Sequence, residues 1–280
     1  MPAETINLET MEKALSSFNP DLPDSKISTG NKELQSLEIA INNLLERMRE
    51  SHRQQERFVS DASHELRTPI SVIQGYVNLL DRWGKDDETV LKESIEALKN
   101  ESAHMKKLVE ELLFLARGDS GRNSPEWEDF DLAEIVKEVY EESLMIDNNH
   151  VYQFDKPPES LIMSGDRSMM KQAARILVQN ASKYSNDGTI IQLRVGKIEN
   201  YLFYSVQDEG LGMNSSDVAH VFDRFYRSDD ARVRKDGGTG LGLSIAKWII
   251  DAHFGIIEIK TMPDIGSRMT VKIPLETAVR

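Results

Sequence analysis

"SDASHELRTPISVIQGYVNLL", residues 60–80, has the spacing of an α-helix and a proline inside it. Val59, Ala62, Leu66, Ile73, Val77 and Leu80 recur at steps of three, four and seven, the seam of a helix that packs on a partner. Pro69 interrupts the run of backbone donors, so a bend is expected just past His64. His64 lies two residues past Ala62, about 200° around the axis, and is expected to face solvent. Glu65 adjoins it, and Thr68 lies one turn further on the same face. A solvent-facing imidazole beside a carboxylate is a workable nucleophile, because the carboxylate can orient the ring and favour the attacking nitrogen. Taken alone, the pair also reads as an exposed helix histidine beside an unrelated acid. A zinc-protease motif is excluded, since "HELRT" has Thr68 where the second ligand histidine would stand.

Working outward, the seam extends back through Gln55, Met48, Leu44, Ile41, Leu37 and Leu34, so one long helix is expected to join the first region to the second. Ahead of it lie a short apolar pattern (Ile6, Met11, Leu15, Phe18) and a polar connector, "NPDLPDSKISTGN". Beyond residue 80, "WGKDDET" reads as a turn with Asp86 or Asp87 as N-cap. A second helix follows, with Leu91, Ile95, Leu98, Met105, Leu112 and Leu115 on one stripe. Two antiparallel helices with such narrow stripes cannot bury them alone, and a dimeric four-helix bundle solves that problem. "RGDSGRNSPEWED" then reads as an interdomain linker.

From about residue 126 to 280 the periods mix. "TIIQLRV" and "YLFYSVQD" alternate like hairpin strands, as do "IIEIK" and "MTVKIP". Helices are expected near Leu132–Leu144, Arg167–Lys183 and Leu241–Ala252, giving a helix layer on a mixed sheet.

Composition narrows the function. A net charge of -13 argues against general binding to nucleic acid or anionic lipid. The absence of cysteine removes disulfides, thiolate nucleophiles and thiolate metal sites together. No apolar run approaches the roughly 20 residues that span a bilayer, and the N-terminus lacks a signal-peptide pattern, so a cytoplasmic-type polypeptide is expected.

The mixed region holds three polar clusters. In "QNASKYS", Asn180, Lys183 and Tyr184 share one helical face, while Met170, Ala174, Leu177 and Ala181 face the core. An amide oxygen suits a hard cation, an ammonium suits phosphate, and a phenol ring suits a purine face. In "VQDEGLGM", Asp208 ends a strand ahead of a turn through Gly210 and Gly212, where a carboxylate can accept from an exocyclic amine or simply cap the turn. In "DGGTGLGLSIAKWII", Gly237, Gly238, Gly240 and Gly242 open into an apolar helix, a combination that lets backbone N–H groups approach phosphate. It is not a Walker loop, and the charged segment before it is no Rossmann strand. Between these clusters, "VFDRFYRSDDARVRKD" offers Phe222, Phe225 and Tyr226 as anchors of a charged lid.

Together these motifs resemble the sensor histidine kinases of two-component systems. "SHELRTPI" is similar to the phosphoacceptor box; "QNASKYS", "DEGLGM", "VFDRFYR" and "GGTGLGL" are similar to the N, G1, F and G2 boxes, in family order. The first region resembles a HAMP signalling module. The resemblance implies a multidomain chain: a HAMP-like coiled coil over 1–50, an all-α dimeric four-helix bundle for histidine phosphotransfer over 51–120, and an α/β sandwich ATP-binding domain over 126–280. It also implies that His64 takes the γ-phosphoryl group of ATP, Glu65 acts as neighbouring base, and Thr68 aligns water to dephosphorylate the regulator. Asn180 would ligate Mg²⁺, Lys183 contact phosphate, Tyr184 pack by adenine and Asp208 read its amino group. Gly210 and Gly212 belong to the same adenine-side turn; Gly238, Thr239, Gly240, Leu241 and Gly242 form the phosphate-side turn. The implied partners are a second copy of the chain and a response regulator, with membrane attachment through a transmembrane segment absent from this sequence. One departure is Ile176, where the family often has a second asparagine.

Other readings remain open at this point: an ATPase of the gyrase, Hsp90 and MutL kind, which lacks a "HELRTP" helix, or a degenerate kinase acting by contacts. His52, His104, His150, His220 and His253 have no ligand spacing and read as structural or solvated.

Overall fold

The computed structural model describes residues 11–13, 16, 26–84, 87–155, 159–228 and 238–275. The expectations for Ile6, Leu15, Phe18, most of the polar connector, Asp86 as a cap, and the second half of the charged lid with Gly237 lie outside the described residues. The chain divides into two compact units, residues 1–64 and 65–280.

In the first unit the end of the connector is fastened to the helix that follows it. The Asn42 side-chain amide brackets one buried residue: the Ile27 N–H donates to Oδ1 at 2.9 Å, and Nδ2 donates to the Ile27 carbonyl at 2.8 Å. Glu38 accepts from the Thr29 N–H at 2.7 Å, and the Thr29 hydroxyl donates to the same oxygen. That hydroxyl bond, with the amide bond added, holds the Glu38 carboxyl below its ordinary pKa. A 3₁₀ turn, Lys32–Leu34, leads into helix α1, Gln35–Trp83.

Helix α1 is the single long helix that the seam requires, and it is continuous across Pro69, whose side chain is buried. After the turn at Gly84, Asp87 caps helix α2 (Glu88–Asp119) by accepting from the Thr89 and Val90 N–H groups. The apolar stripes stay largely open: Leu37, Leu44, Met48, Val59, Val77, Leu91 and Ile95 are all exposed.

The rest of the second unit begins with strand β1, Glu128–Asp131, and helix α3, Leu132–Ile146. Strands β2 (Val151–Asp155) and β3 (Ile162–Gly165) follow, then helix α4, Arg167–Tyr184. Next come β4 (Ile190–Ile198), β5 (Tyr201–Gln207) and the short helix α5, Ser215–His220. Helix α6 (Gly242–Ala252), β6 (Ile256–Met262) and β7 (Gly266–Pro274) complete it.

Five strands form one sheet in the order β2-β4-β5-β7-β6, while β1 and β3 pair separately. β2 runs parallel to β4 and the other neighbours are antiparallel, so the sheet is mixed. Both expected hairpins are present, β4 with β5 and β6 with β7. β1, β2 and β3 are elements that the sequence patterns did not announce. Alternation supplies the apolar face: Leu193, Val195, Leu202, Tyr204, Val271 and Ile273 are buried. Helices α3, α4 and α6 cover it with Ile135, Val139, Met170, Leu177, Ile245 and Ile249, all at most 1% exposed. This is the α/β sandwich expected of the mixed region, with helix α6 starting at Gly242 rather than Leu241.

Candidate functional site

One cavity of about 750 Å³ opens where the end of α4, the turn after β5 and the start of α6 meet. While α4 buries Met170, Ala174, Leu177 and Ala181, the residues on the flank of that face near its C-terminal end, Asn180, Lys183 and Tyr184, are left half-buried and line that cavity. The Lys183 ammonium stands 5.0 Å from the centre of the Tyr184 ring.

Asp208 lines the same cavity immediately after β5. Its Oδ1 accepts from the Gly210 N–H at 2.9 Å and from the Ser267 N–H at 3.1 Å, which leaves Oδ2 without a protein partner among the described residues. Burial pushes the Asp208 carboxyl above its ordinary pKa, against the two amide bonds. Gly212 has φ 65°, and an added Cβ would lie 1.9 Å from the Met262 carbonyl oxygen, so only glycine lets this turn pack on the β6–β7 connection.

The glycine-rich turn closes the other side. Gly238, Thr239, Gly240 and Gly242 line the cavity. A Cβ on Gly238 would lie 2.7 Å from Lys183 Nζ, which brings the turn's backbone against the ammonium. Gly240 has φ 74°, and its carbonyl accepts from the Phe225 N–H at 3.0 Å. That contact ties the first half of the charged lid to the glycine turn. Ile176 lines the wall as well, 3.3 Å from where a Gly242 Cβ would lie.

Among the described residues singled out in the two glycine turns, two do not line the cavity. Gly210 is buried beneath the turn, and Leu241 is a core residue with no exposed surface. Conversely, Lys107 and Glu111 of α2 reach the cavity, although nothing in the heptad pattern distinguishes them from the other charged residues of that helix. Asp264 joins them for the same reason, since only tertiary packing brings it to the wall, while Arg227 and Ser228 reach it from the charged lid segment.

On α1, His64 is exposed, Glu65 is half-buried beside it, and Thr68 is exposed one turn further on. This is the disposition derived from the seam. Among the described residues no group of three or more His, Asp or Glu side chains is gathered as a metal site.

Residues 54–121 match the model of the His Kinase A (phospho-acceptor) domain, and residues 165–277 match that of the histidine kinase-, DNA gyrase B-, and HSP90-like ATPase. The sensor histidine kinase YkoH of Bacillus subtilis is 40% identical over 86% of this chain and 52% of its own length. The signal transduction histidine-protein kinase ArlS of Staphylococcus aureus is 35% identical over 89% of this chain and 54% of its own. The chain therefore spans a little over half the length of these relatives. Among solved structures, the Acinetobacter baumannii histidine kinase AdeS aligns with TM-score 0.60 and 27% identity over 76% of this chain and 98% of that one. The fold is shared with histidine kinase ThkA, crystallised with the response regulator TrrA (TM-score 0.63, 24% identity, 84% of this chain and 67% of that one).

Proposed function

Because the chain belongs to the sensor histidine kinases, we propose that it transfers the γ-phosphoryl group of ATP to His64 and onward to an aspartate of a response regulator. The observation that carries this reading is the cavity: one open carboxylate oxygen on Asp208, a phenol, an ammonium and a glycine turn line a single space. Asp208 would accept from the adenine amine through Oδ2, Tyr184 would pack by the ring, and Lys183 would meet the phosphates. The backbone N–H groups of the turn from Gly238 to Gly242, at the start of α6, favour the same anionic tail.

The donor set also fits Mg²⁺. One amide oxygen, from Asn180, suits a cation that keeps most of its ligands from phosphate and water. Bound there, Mg²⁺ would neutralise charge on the phosphate oxygens. In the transfer itself an imidazole nitrogen of His64 attacks the γ-phosphorus. The new P–N bond replaces the bond to the ADP oxygen, and Glu65 orients the ring and takes its proton. The N–P bond then yields the phosphoryl group to the regulator's carboxylate. Thr68, one turn from His64, would align the water that hydrolyses the regulator's phosphoaspartate.

The same reading divides the chain into a HAMP-like module over 1–50, the phosphotransfer hairpin over 51–120 and the ATP-binding domain over 126–280. It makes the molecule a homodimer through the open seam, where Leu44, Met48 and Val59 are 59%, 69% and 59% exposed in the single chain. No described helix is long and apolar enough to cross a membrane; attachment through a segment outside this sequence belongs to the proposal.

The test is His64→Gln. The variant is expected to bind a non-hydrolysable ATP analogue as the parent does and to take up no acid-labile label from γ-labelled ATP. Undiminished labelling of the variant would remove His64 from the mechanism.

A further inference from the structure

The cavity has a wall that the kinase motifs leave unassigned. Glu111 enters it from α2, with its side chain only 14% exposed, and Thr239 Oγ1 donates to Glu111 Oε2 at 2.5 Å. Thr239 stands between Gly238, whose backbone approaches the Lys183 ammonium, and Gly240, whose backbone packs on Phe225. A carboxylate therefore sits in the corner that holds the hydroxyl, the ammonium and the glycine turn.

The position of Glu111 is fixed by packing further along α2. The Phe114 and Trp248 rings meet edge to face at 5.2 Å. A Cβ on Gly118 would lie 2.6 Å from the Trp248 ring, so α2 approaches α6 closely there. Arg224 completes the attachment with two hydrogen bonds to Asp119, at 2.8 and 2.6 Å. Burial pushes the Glu111 carboxyl above its ordinary pKa, with the Thr239 bond and the charges of Lys107 and His104 opposing.

A threonine hydroxyl has one proton to give. While Glu111 takes it, a phosphate oxygen cannot, and each negative charge on an incoming tail is repelled by the carboxylate. We propose that Glu111 is a specificity-determining residue of the nucleotide cavity, held against Thr239 in competition with the terminal phosphates, so that its charge lowers affinity more the further the phosphate tail extends toward it. This inference rests on the nucleotide-binding reading given above. ATP entry and withdrawal of Glu111 from Thr239 are then one event, and because Glu111 belongs to α2, occupancy of the cavity is coupled to how that helix is held.

The experiment compares binding of ATP, ADP and AMP, each with Mg²⁺, to the full chain and to its Glu111→Gln variant by calorimetry. Glutamine keeps an oxygen for the Thr239 hydroxyl and loses only the charge. The gain expected on substitution is about tenfold for ATP, about threefold for ADP and negligible for AMP, the order set by removing one like charge at short, partly screened distance. Glu111→Ala, checked for folding by circular dichroism, should give the same order and serves if the glutamine variant does not fold. Equal gains for all three nucleotides, or no gain for ATP, overturn the inference while leaving nucleotide binding standing. If neither parent nor variant binds any of the three, the nucleotide reading itself falls and takes this inference with it.

Discussion

Asp208 has two oxygens in different situations, and that difference can be tested. Oδ1 holds the amides of Gly210 and Ser267, while Oδ2 has no protein partner among the described residues and Asp208 lines the cavity. Asp208→Asn can keep the first role and exchange the second for an amino group, which cannot accept from another amine. ATP affinity is expected to fall at least about tenfold, with the thermal midpoint nearly unchanged. Asp208→Ala removes both roles and is expected to cost about 1–3 kcal/mol of stability as well, because two amides lose their acceptor. Calorimetry and thermal melts separate the two effects; equal affinity in parent and Asp208→Asn would end the assignment. At this scale the sequence was informative wherever backbone geometry demands a residue type, as at Gly212 and Gly240. It was silent on Glu111, which sits beside Glu110 on a charged helix and acquires its environment only when α2 meets Thr239.

Among the elements, α6 is anchored at its far end by a histidine that the sequence left as structural or solvated. His253 has no exposed surface. Its Nε2 accepts from the Asp166 N–H at 2.9 Å, and its Nδ1 donates to the Ile249 carbonyl at 2.7 Å. The ring is thus neutral, with its proton on Nδ1, and it ties α6 to the start of α4. Burial holds its pKa below the usual histidine value, the Ile249 bond and the Asp166 charge opposing. The unfolded ring titrates near 6.5. Below that pH the unfolded chain takes up a proton that the folded one refuses, so stability present above about pH 6.5 is lost as pH falls toward the depressed folded value. Thermal melts should show a lower midpoint at pH 5.5 than at pH 7, and His253→Gln should reduce this difference while lowering the midpoint at both. An unchanged pH difference in the variant would mean that the ring is not what titrates. Helix α1 makes a different point, because Pro69 lies in its interior and the helix is continuous there. The seam on both sides of a proline outweighed the local penalty, which is of order 3 kcal/mol.

For the molecule as a whole, what the sequence made legible were the long periodic features and the local hairpins. The seam of α1, the stripe of α2, the core face of α4, the positions of helices α3 and α6, and both antiparallel hairpins follow from spacing repeated over many residues or from strands joined by short turns. What stayed hidden was non-local. β2 is five residues long and pairs in parallel with β4 across the whole of α4, and β1 pairs with β3 across α3 and β2. Such pairings leave no periodic trace, because partner and register are chosen by the finished fold. The cavity shows the same division. Its motif residues were legible because they cluster in sequence, whereas Lys107, Glu111 and Asp264 join it from segments that give no local sign of doing so.

Between Gln35 and His64 the helix has no interruption, and a helix of this kind behaves like a screw thread. A single residue inserted near Ser51 advances the thread by about 100°, turning His64 relative to every side chain upstream, whereas seven residues restore the angle almost completely. Kinase output across a ladder of one, two, three, four and seven inserted alanines should therefore rise and fall with the helical repeat, and the seven-residue insertion should recover most of the parent's output. A steady decline with inserted length would mean that the thread carries distance and not rotation.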